Sequence, residues 1–361
     1  MPEVKLEGVT KRYGKTEAVR ELSLTINSGE YFTLLGPIGS GKTTTLMLLA
    51  GLVEPDEGEI YFDGKPMKKV PPEDRGVGFV FETFALFPHY NVWENVTYGP
   101  RVKKEDPAST RKVAKEMLEM VLLEDRPDAL PDELSGGMKQ RAALSRALTS
   151  GAKILLLDEP LGALDAKIRA TLASDLRRIV KELGLTAIHV TNGVEEAMTI
   201  SDRIAVMHKG LLEQVGTPRE LYENPKTIFV MDFMGDINLF SGTITSISNN
   251  LTEVTTEEGF LLHSSKTLLK AGSRVHAIVR AEDVDIITKD REETANRLHG
   301  IVKQKMFLLG FMKYLIQLET GQEFVMEVPF MRREEELNEG ETITVGFASQ
   351  KVYLFEREES I

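Results

Sequence analysis

Residues 36–43 read GPIGSGKT, between an apolar run at 31–35 (YFTLL) and a helical pattern at 44–52 (TTLMLLAGL). The spacing G-x-x-x-x-G-K-[ST] at a strand-to-helix junction is that of a phosphate-binding loop. Gly36, Gly39 and Gly41 let backbone N–H groups fold round phosphate oxygens, which a Cβ would obstruct. Lys42 is placed to reach the terminal phosphates, and the Thr43 hydroxyl to ligand Mg²⁺. Ser40 and Thr44 complete the set of nucleotide-binding positions in this turn. The helix after the loop points its partial positive end at the anion. The chain is therefore expected to bind a nucleoside triphosphate.

A second centre lies at 154–160, ILLLDEP. Its apolar run ends in Asp158, which a buried strand would deliver to the Mg²⁺ region, and Glu159 is next in line to polarise a water against the γ-phosphate. Upstream, LSGGMKQR (134–141) precedes a helical pattern.

The elements that must position these residues alternate up to about Gly235. Strands are expected at 4–9, 22–26, 31–35, 60–62, 77–81, 154–158, 187–191 and 204–207. ILLLD shows no apolar–polar alternation, as befits a strand buried on both faces of a parallel sheet. Between 83 and 150 the strand signal gives way to helical spacing, so this stretch reads as an insertion in an α/β core. Lys209-Gly210 is expected to be a hairpin turn, and helices near 219–223 and 227–234 close the domain. Beyond 235, short β-type runs recur, with a repeat N-x-[LF]-x-G-x-[IV] at 238–244 and 296–302. Two related copies of a small β-barrel would explain it. The expected domains are thus 1–235, with its helical part at 83–150, and a β-rich domain at 236–361.

Composition excludes several classes. No apolar run approaches the ~18 residues of a membrane-spanning helix, and the N-terminal stretch lacks the apolar core of an export signal. There are no cysteines, so disulfides and thiolate metal sites are out. A net charge of −12 argues against general nucleic-acid binding, which needs a basic footprint.

Taken together, the phosphate loop, LSGGMKQR and ILLLDEP, in that order, resemble the ATP-binding cassette (ABC) family. The resemblance implies a P-loop α/β ATPase with a helical insertion, using ATP and Mg²⁺. It implies a head-to-tail dimer, homodimeric or heterodimeric with a second ABC ATPase. Ser135, Gly136 and Gly137 of one subunit would then meet the γ-phosphate held by Lys42 of the other. Tyr13 matches the aromatic that stacks on adenine, and 163–165 (ALD) the loop that crosses the dimer seam. The tail, with VRAEDV at 279–284, resembles importer ATPases carrying an OB-like TOBE domain, although Ala281 stands where the family has proline. Such ATPases sit at the cytoplasmic face of the membrane. They work with integral membrane permease subunits and, indirectly, with an extracytoplasmic solute-binding protein. LFPHYNVWENVTYG and LGALDAK look more like the polyamine, ferric-iron and inorganic-anion branch than the sugar branch.

Three positions depart from the family. Glu82 replaces its glutamine, Asn192-Gly193 its His-Asp pair, and Met138 a signature glutamine. Glu82 is still able to ligand Mg²⁺ through oxygen, at the cost of a negative charge near a polyanion. Asn192 donates through its amide but cannot carry histidine's positive charge. Met138 leaves the backbone anion site intact. His189 lies three residues earlier on a strand, facing the other way, and reads as a packed or hydrogen-bonded histidine. Two readings stay open here: an active importer ATPase using Lys42, Thr43, Asp158 and Glu159, with Glu82 and Asn192 as the catalytic positions that have changed, or, as those two changes favour, a catalytically weakened subunit completing a partner's site in a mixed dimer.

Overall fold

The computed structural model describes residues 2–162, 166–248, 251–265, 269–287, 295–330 and 336–357. The chain divides into two compact units, Met1–Lys226 and Thr227–Ile361. The division falls nine residues before the expected 235. The helix Ile228–Phe233 groups with the second unit, where buried Arg280 donates from Nη1 to Met231 O at 3.2 Å.

In the first unit the strands are β1 (Val4–Tyr13), β2 (Thr16–Ile26), β3 (Tyr31–Leu35), β4 (Glu57–Phe62), β5 (Lys65–Pro66), β6 (Val77–Val80), β7 (Ile154–Asp158), β8 (Thr186–Thr191), β9 (Arg203–His208) and β10 (Leu211–Gly216). An antiparallel sheet has the order β2-β1-β4-β5; a six-stranded sheet has the order β10-β9-β3-β8-β7-β6, parallel except for β10. Every residue of β3, β7 and β8 is buried. Within β7, Ile154 and Leu156 enter one apolar core while Leu155 and Leu157 enter another, so the sheet is covered on both faces. At roughly 1.5–3 kcal/mol per buried aliphatic side chain, these short strands are held mainly by burial. Helices Val92–Val96, Tyr98–Val102, Pro107–Met120 and Gly136–Thr149 fill the stretch between β6 and β7, as the sequence pattern indicates. Lys209 and Gly210, at φ 49° and 82°, turn β9 into β10.

The second unit is a duplication. Its strands are β11 (Ile237–Ser248), β12 (Leu251–Thr256), β13 (Leu261–Ser264), β14 (Arg274–Arg280), β15 (Asp285–Ile286), β16 (Asn296–Leu308), β17 (Phe311–Leu318), β18 (Glu323–Pro329), β19 (Thr342–Phe347) and β20 (Tyr353–Glu356). The sheet orders β13-β12-β11-β14-β20 and β18-β17-β16-β19-β15 correspond position by position. The last strand of each copy, β15 or β20, joins the other copy's sheet and both copies contribute to one apolar core, so they share a core where the sequence suggested two small barrels. The repeat motif has a physical reason. Asn238 on β11 exchanges two hydrogen bonds with the Val325 backbone on β18 (2.7 and 2.8 Å), and Asn296 on β16 does the same with His263 on β13 (2.6 and 3.0 Å). A Cβ at Gly242 or Gly300 would lie 2.5 Å from Thr255 O or 2.7 Å from Gln317 O, so both positions need glycine for close strand approach.

Candidate nucleotide-binding and hydrolysis site

The candidate residues gather where the parallel strands end. Gly36 follows β3, Glu82 lies two residues beyond β6, Asp158 ends β7 and Asn192 follows β8. These strands are neighbours in the sheet, with Leu35 opposite Thr191, Val190 opposite Asp158, and Leu157 opposite Val80. Open α/β sheets bind ligands at this carboxyl edge.

The phosphate loop runs from β3 into the nine-residue helix Lys42–Ala50, which begins at Gly41 with φ 99°. A Cβ on Gly36 would stand 2.1 Å from Met207 O, so the turn admits no side chain there. Gly41 packs as closely against Ala18 O of β2. That strand is the partner of β1, whose last residue, Tyr13, is 48% exposed, with the Lys11 ammonium 5.7 Å from its ring centroid. The far end of the helix is tied down by Arg75, which donates to Leu48 O and Leu49 O.

Lys42 is buried, and its ammonium donates to Gly36 O (2.8 Å) and Pro37 O (2.9 Å) within the loop itself. Burial pushes this ammonium below the ordinary lysine range, against the pull of Glu159 and Asp158. The Thr43 hydroxyl donates to Asp158 Oδ1 at 2.8 Å. Burial raises the Asp158 carboxyl, the Thr43 bond opposes this, and the charge of Glu82 adds to it. Glu159 is raised by burial too, with Lys42 opposing and Glu196, Asp158 and Glu82 adding. Its backbone sits at φ 45°, outside the region ordinary residues prefer, and its N–H donates to Val190 O at 3.0 Å. Such strain is typical of residues over-determined by a functional site.

These groups fit a bound triphosphate with a divalent cation. Among the described residues the buried Ser40 hydroxyl oxygen has no hydrogen-bond partner, and the Lys42 ammonium donates only to carbonyls. Thr43 and Asp158 present two hard oxygens side by side, as Mg²⁺ requires. Among the described residues no cluster of three or more His, Cys, Asp or Glu side chains forms a metal site by itself.

Not every expected residue joins this group. Glu82 and Asn192 are exposed, and neither side chain hydrogen-bonds to another described residue. Glu82 nevertheless acts on Asp158 and Glu159 through its charge. Ser135 caps the 14-residue helix Gly136–Thr149 by accepting from Met138 N at 3.3 Å, with Gly136 exposed and Gly137 half-buried on the same turn. No hydrogen bond among the described residues joins this segment to the phosphate loop. The seam loop at 163–165 lies outside the described residues. His189 is buried, as expected of a strand histidine: Tyr31 Oη lies 2.9 Å from Nδ1 and Glu196 Oε1 lies 2.8 Å from Nε2. Glu196 went unforeseen; its spacing of seven from His189, across a strand end and a turn, carries no local signal.

Residues 19–162 match the family model described as ABC transporter, and residues 277–355 that of the TOBE domain. Over 322 residues the chain is 42% identical to a spermidine/putrescine import ATP-binding protein of Trichormus variabilis, covering 88% of this chain and 84% of that one. The chain belongs to the ABC transporter family. A Shigella boydii protein of the same description is 40% identical over 322 residues, covering 89% of this chain and 85% of its own length. Among solved structures, a dimeric ATP-binding cassette in a post-hydrolysis state with ADP and Pi is 34% identical, with TM-score 0.54. That match covers 60% of this chain and 99% of the cassette. The present ABC protein is accordingly an importer ATPase subunit, a P-loop ATP hydrolase with a C-terminal TOBE domain. None of its described helices is long and apolar enough to cross a membrane.

Proposed function

We propose that this subunit powers polyamine import, hydrolysing Mg-ATP at the cytoplasmic face of the membrane in concert with permease subunits. The observation that carries the chemistry is the Lys42, Thr43, Asp158 and Glu159 group at the carboxyl ends of β3 and β7. Lys42 leaves its loop carbonyls to bind the terminal phosphates. Thr43 and Asp158 hold the cation, with Glu82 as a further oxygen ligand. Magnesium, when bound, neutralises charge on the phosphates. Glu159, its carboxyl raised by burial, accepts the proton of the attacking water. Asn192 donates an amide hydrogen bond toward the γ-phosphate, and Tyr13 stacks on the base.

Dimerisation supplies the rest. The exposed N-terminus of Gly136–Thr149, with Ser135 and Gly137, suits the phosphate of a second copy, and a solved relative is dimeric. The polyamine reading is supported by the relatives, which are spermidine/putrescine import ATP-binding proteins. The test is reconstitution with the cognate membrane subunits. Spermidine uptake that depends on ATP and stops with Glu159→Gln supports the reading; uptake of ferric iron, an inorganic anion or a sugar instead overturns the solute class.

A second reading is favoured by Glu82 and Asn192. If a separate ABC ATPase stands opposite, this chain's Ser135 and Gly137 complete the partner's site while its own turns over slowly.

A further inference from the structure

The segment just after Glu82 is bent against its own preference. Phe84 and Ala85 both have left-handed backbones, at φ 62° and 46°. Residues with a Cβ adopt this conformation only when their surroundings impose it. Phe84 N donates to Phe81 O at 2.8 Å, and two side chains from elsewhere hold the backbone from Phe84 to Asn91. Arg146 donates from Nη1 to Ala85 O (2.7 Å) and from Nη2 to Phe84 O (3.1 Å), its guanidinium 5.4 Å from the Phe87 ring centroid. Asn95, itself buried, accepts from Phe87 N (2.8 Å) and donates to Phe87 O, Tyr90 O and Asn91 O. The two grips differ. Asn95 braces the far end of the loop from a neighbouring helix, whereas Arg146 holds the strained carbonyls themselves.

Arg146 lies on Gly136–Thr149, ten residues or about 15 Å from the helix start that Ser135 caps. A helix of this length transmits displacement as a rod. One end carries the signature segment and the other end holds the turn just after Glu82.

We propose that Arg146 is a positioning residue that makes the Glu82 segment and the signature helix move as one body. This rests on the reading that Glu82 faces the nucleotide of its own subunit and Ser135 that of the partner. The planar guanidinium spans two adjacent carbonyls, which a single ammonium does not match. Without it, Phe84 and Ala85 relax out of the left-handed region and the backbone that carries Glu82 loses its fixed path.

The test uses the full chain with Arg146→Met, Ala85→Gly and the double variant. Three quantities are read: steady-state kcat, affinity for a fluorescent ATP analogue, and hydrogen exchange of the amides at 82–91. Arg146→Met should lower kcat about tenfold and leave nucleotide affinity within about twofold. Ala85→Gly in that background should recover about threefold of the loss, because glycine accepts positive φ without strain. Exchange at 82–91 should quicken in Arg146→Met and slow again in the double variant. An unchanged kcat, or a kcat lost together with affinity and not recovered by Ala85→Gly, overturns the proposal. If the unaltered chain hydrolyses ATP no faster than Glu159→Gln, the functional reading has failed, and exchange alone decides the clamp. Unchanged exchange then refutes it and faster exchange sustains it.

Discussion

The two sides of the nucleotide site are built to different standards. On the phosphate-loop side most chemical groups are engaged, Lys42 with Gly36 and Pro37, Thr43 with Asp158, and the helix end with Arg75, the Ser40 hydroxyl being the exception. On the sensing side Glu82 and Asn192 stand exposed, without a hydrogen bond to another described residue. The first arrangement is held by the protein's own hydrogen bonds before any ligand arrives, which limits what binding must order to the exchange of the Lys42 contacts. The second carries the departures from the family, and no hydrogen bond among the described residues depends on those side chains. On the proposed function, binding capacity rests on the first side and the two exposed residues of the second modulate turnover.

The strongest way to break this contrast is Lys42→Ala. Loss of the Lys42 ammonium beside Asp158, Glu159 and the loop carbonyls should cut hydrolysis by about 10²–10³ and weaken ATP binding in a direct titration. A fall of less than about tenfold would mean that the phosphate-loop side is not the binding side.

Glu82→Gln sharpens the contrast from the other side. Glu82's charge adds to the raised carboxyls of Asp158 and Glu159, so its removal lets both ionise at lower pH. Hydrolysis by the unaltered chain should fall as the pH drops through the raised Glu159 value, and in the variant this acid limb should move to lower pH. Half-saturation by Mg-ATP should improve about two- to fivefold at low ionic strength and less in high salt, since Glu82 is exposed. An acid limb that stays in place would detach Glu82 from the chemistry.

The smallest effect tests the opposite end of β3, where there is no ligand chemistry. Asp202 accepts from Tyr31 N at 2.8 Å and pairs with Arg177 and Lys181. Burial alone would raise its carboxyl, but the Lys181 bond, the Tyr31 amide and Arg177 outweigh burial and hold it below the ordinary value. Its stabilisation is therefore complete above pH 3.8 and fades as the pH falls through the lower folded value. Asp202→Asn should cost about 1 kcal/mol at pH 7, discounted for partial exposure, and almost nothing in strong acid. Thermal unfolding at both pH values checks this, with kcat unchanged at neutral pH.

Much of this was legible in the residues. GPIGSGKT announces its geometry because backbone N–H groups need glycine at fixed offsets, and ILLLD announces a doubly buried strand by lacking alternation. The repeat at Asn238 and Asn296 showed as spacing alone, and its cause, an amide locked to a crossing strand, is a contact over 87 residues in one copy and 33 in the other. The exchange of β15 and β20 between sheets left no trace, since β15 is two residues long and its partner lies far along the chain. Arg146 and Asn95 were equally silent. Both act on backbone carbonyls, which every residue has, so no pattern of side chains points to them.

The measurement that tests the account most directly is steady-state Mg-ATP hydrolysis by the purified chain, beside Glu159→Gln and Asn192→His. The account predicts measurable hydrolysis, a loss of about 10²–10⁴ with Glu159→Gln at unchanged ATP affinity, and a gain of up to about tenfold with Asn192→His. Hydrolysis no higher than that of Glu159→Gln, and not raised by Asn192→His, would contradict it.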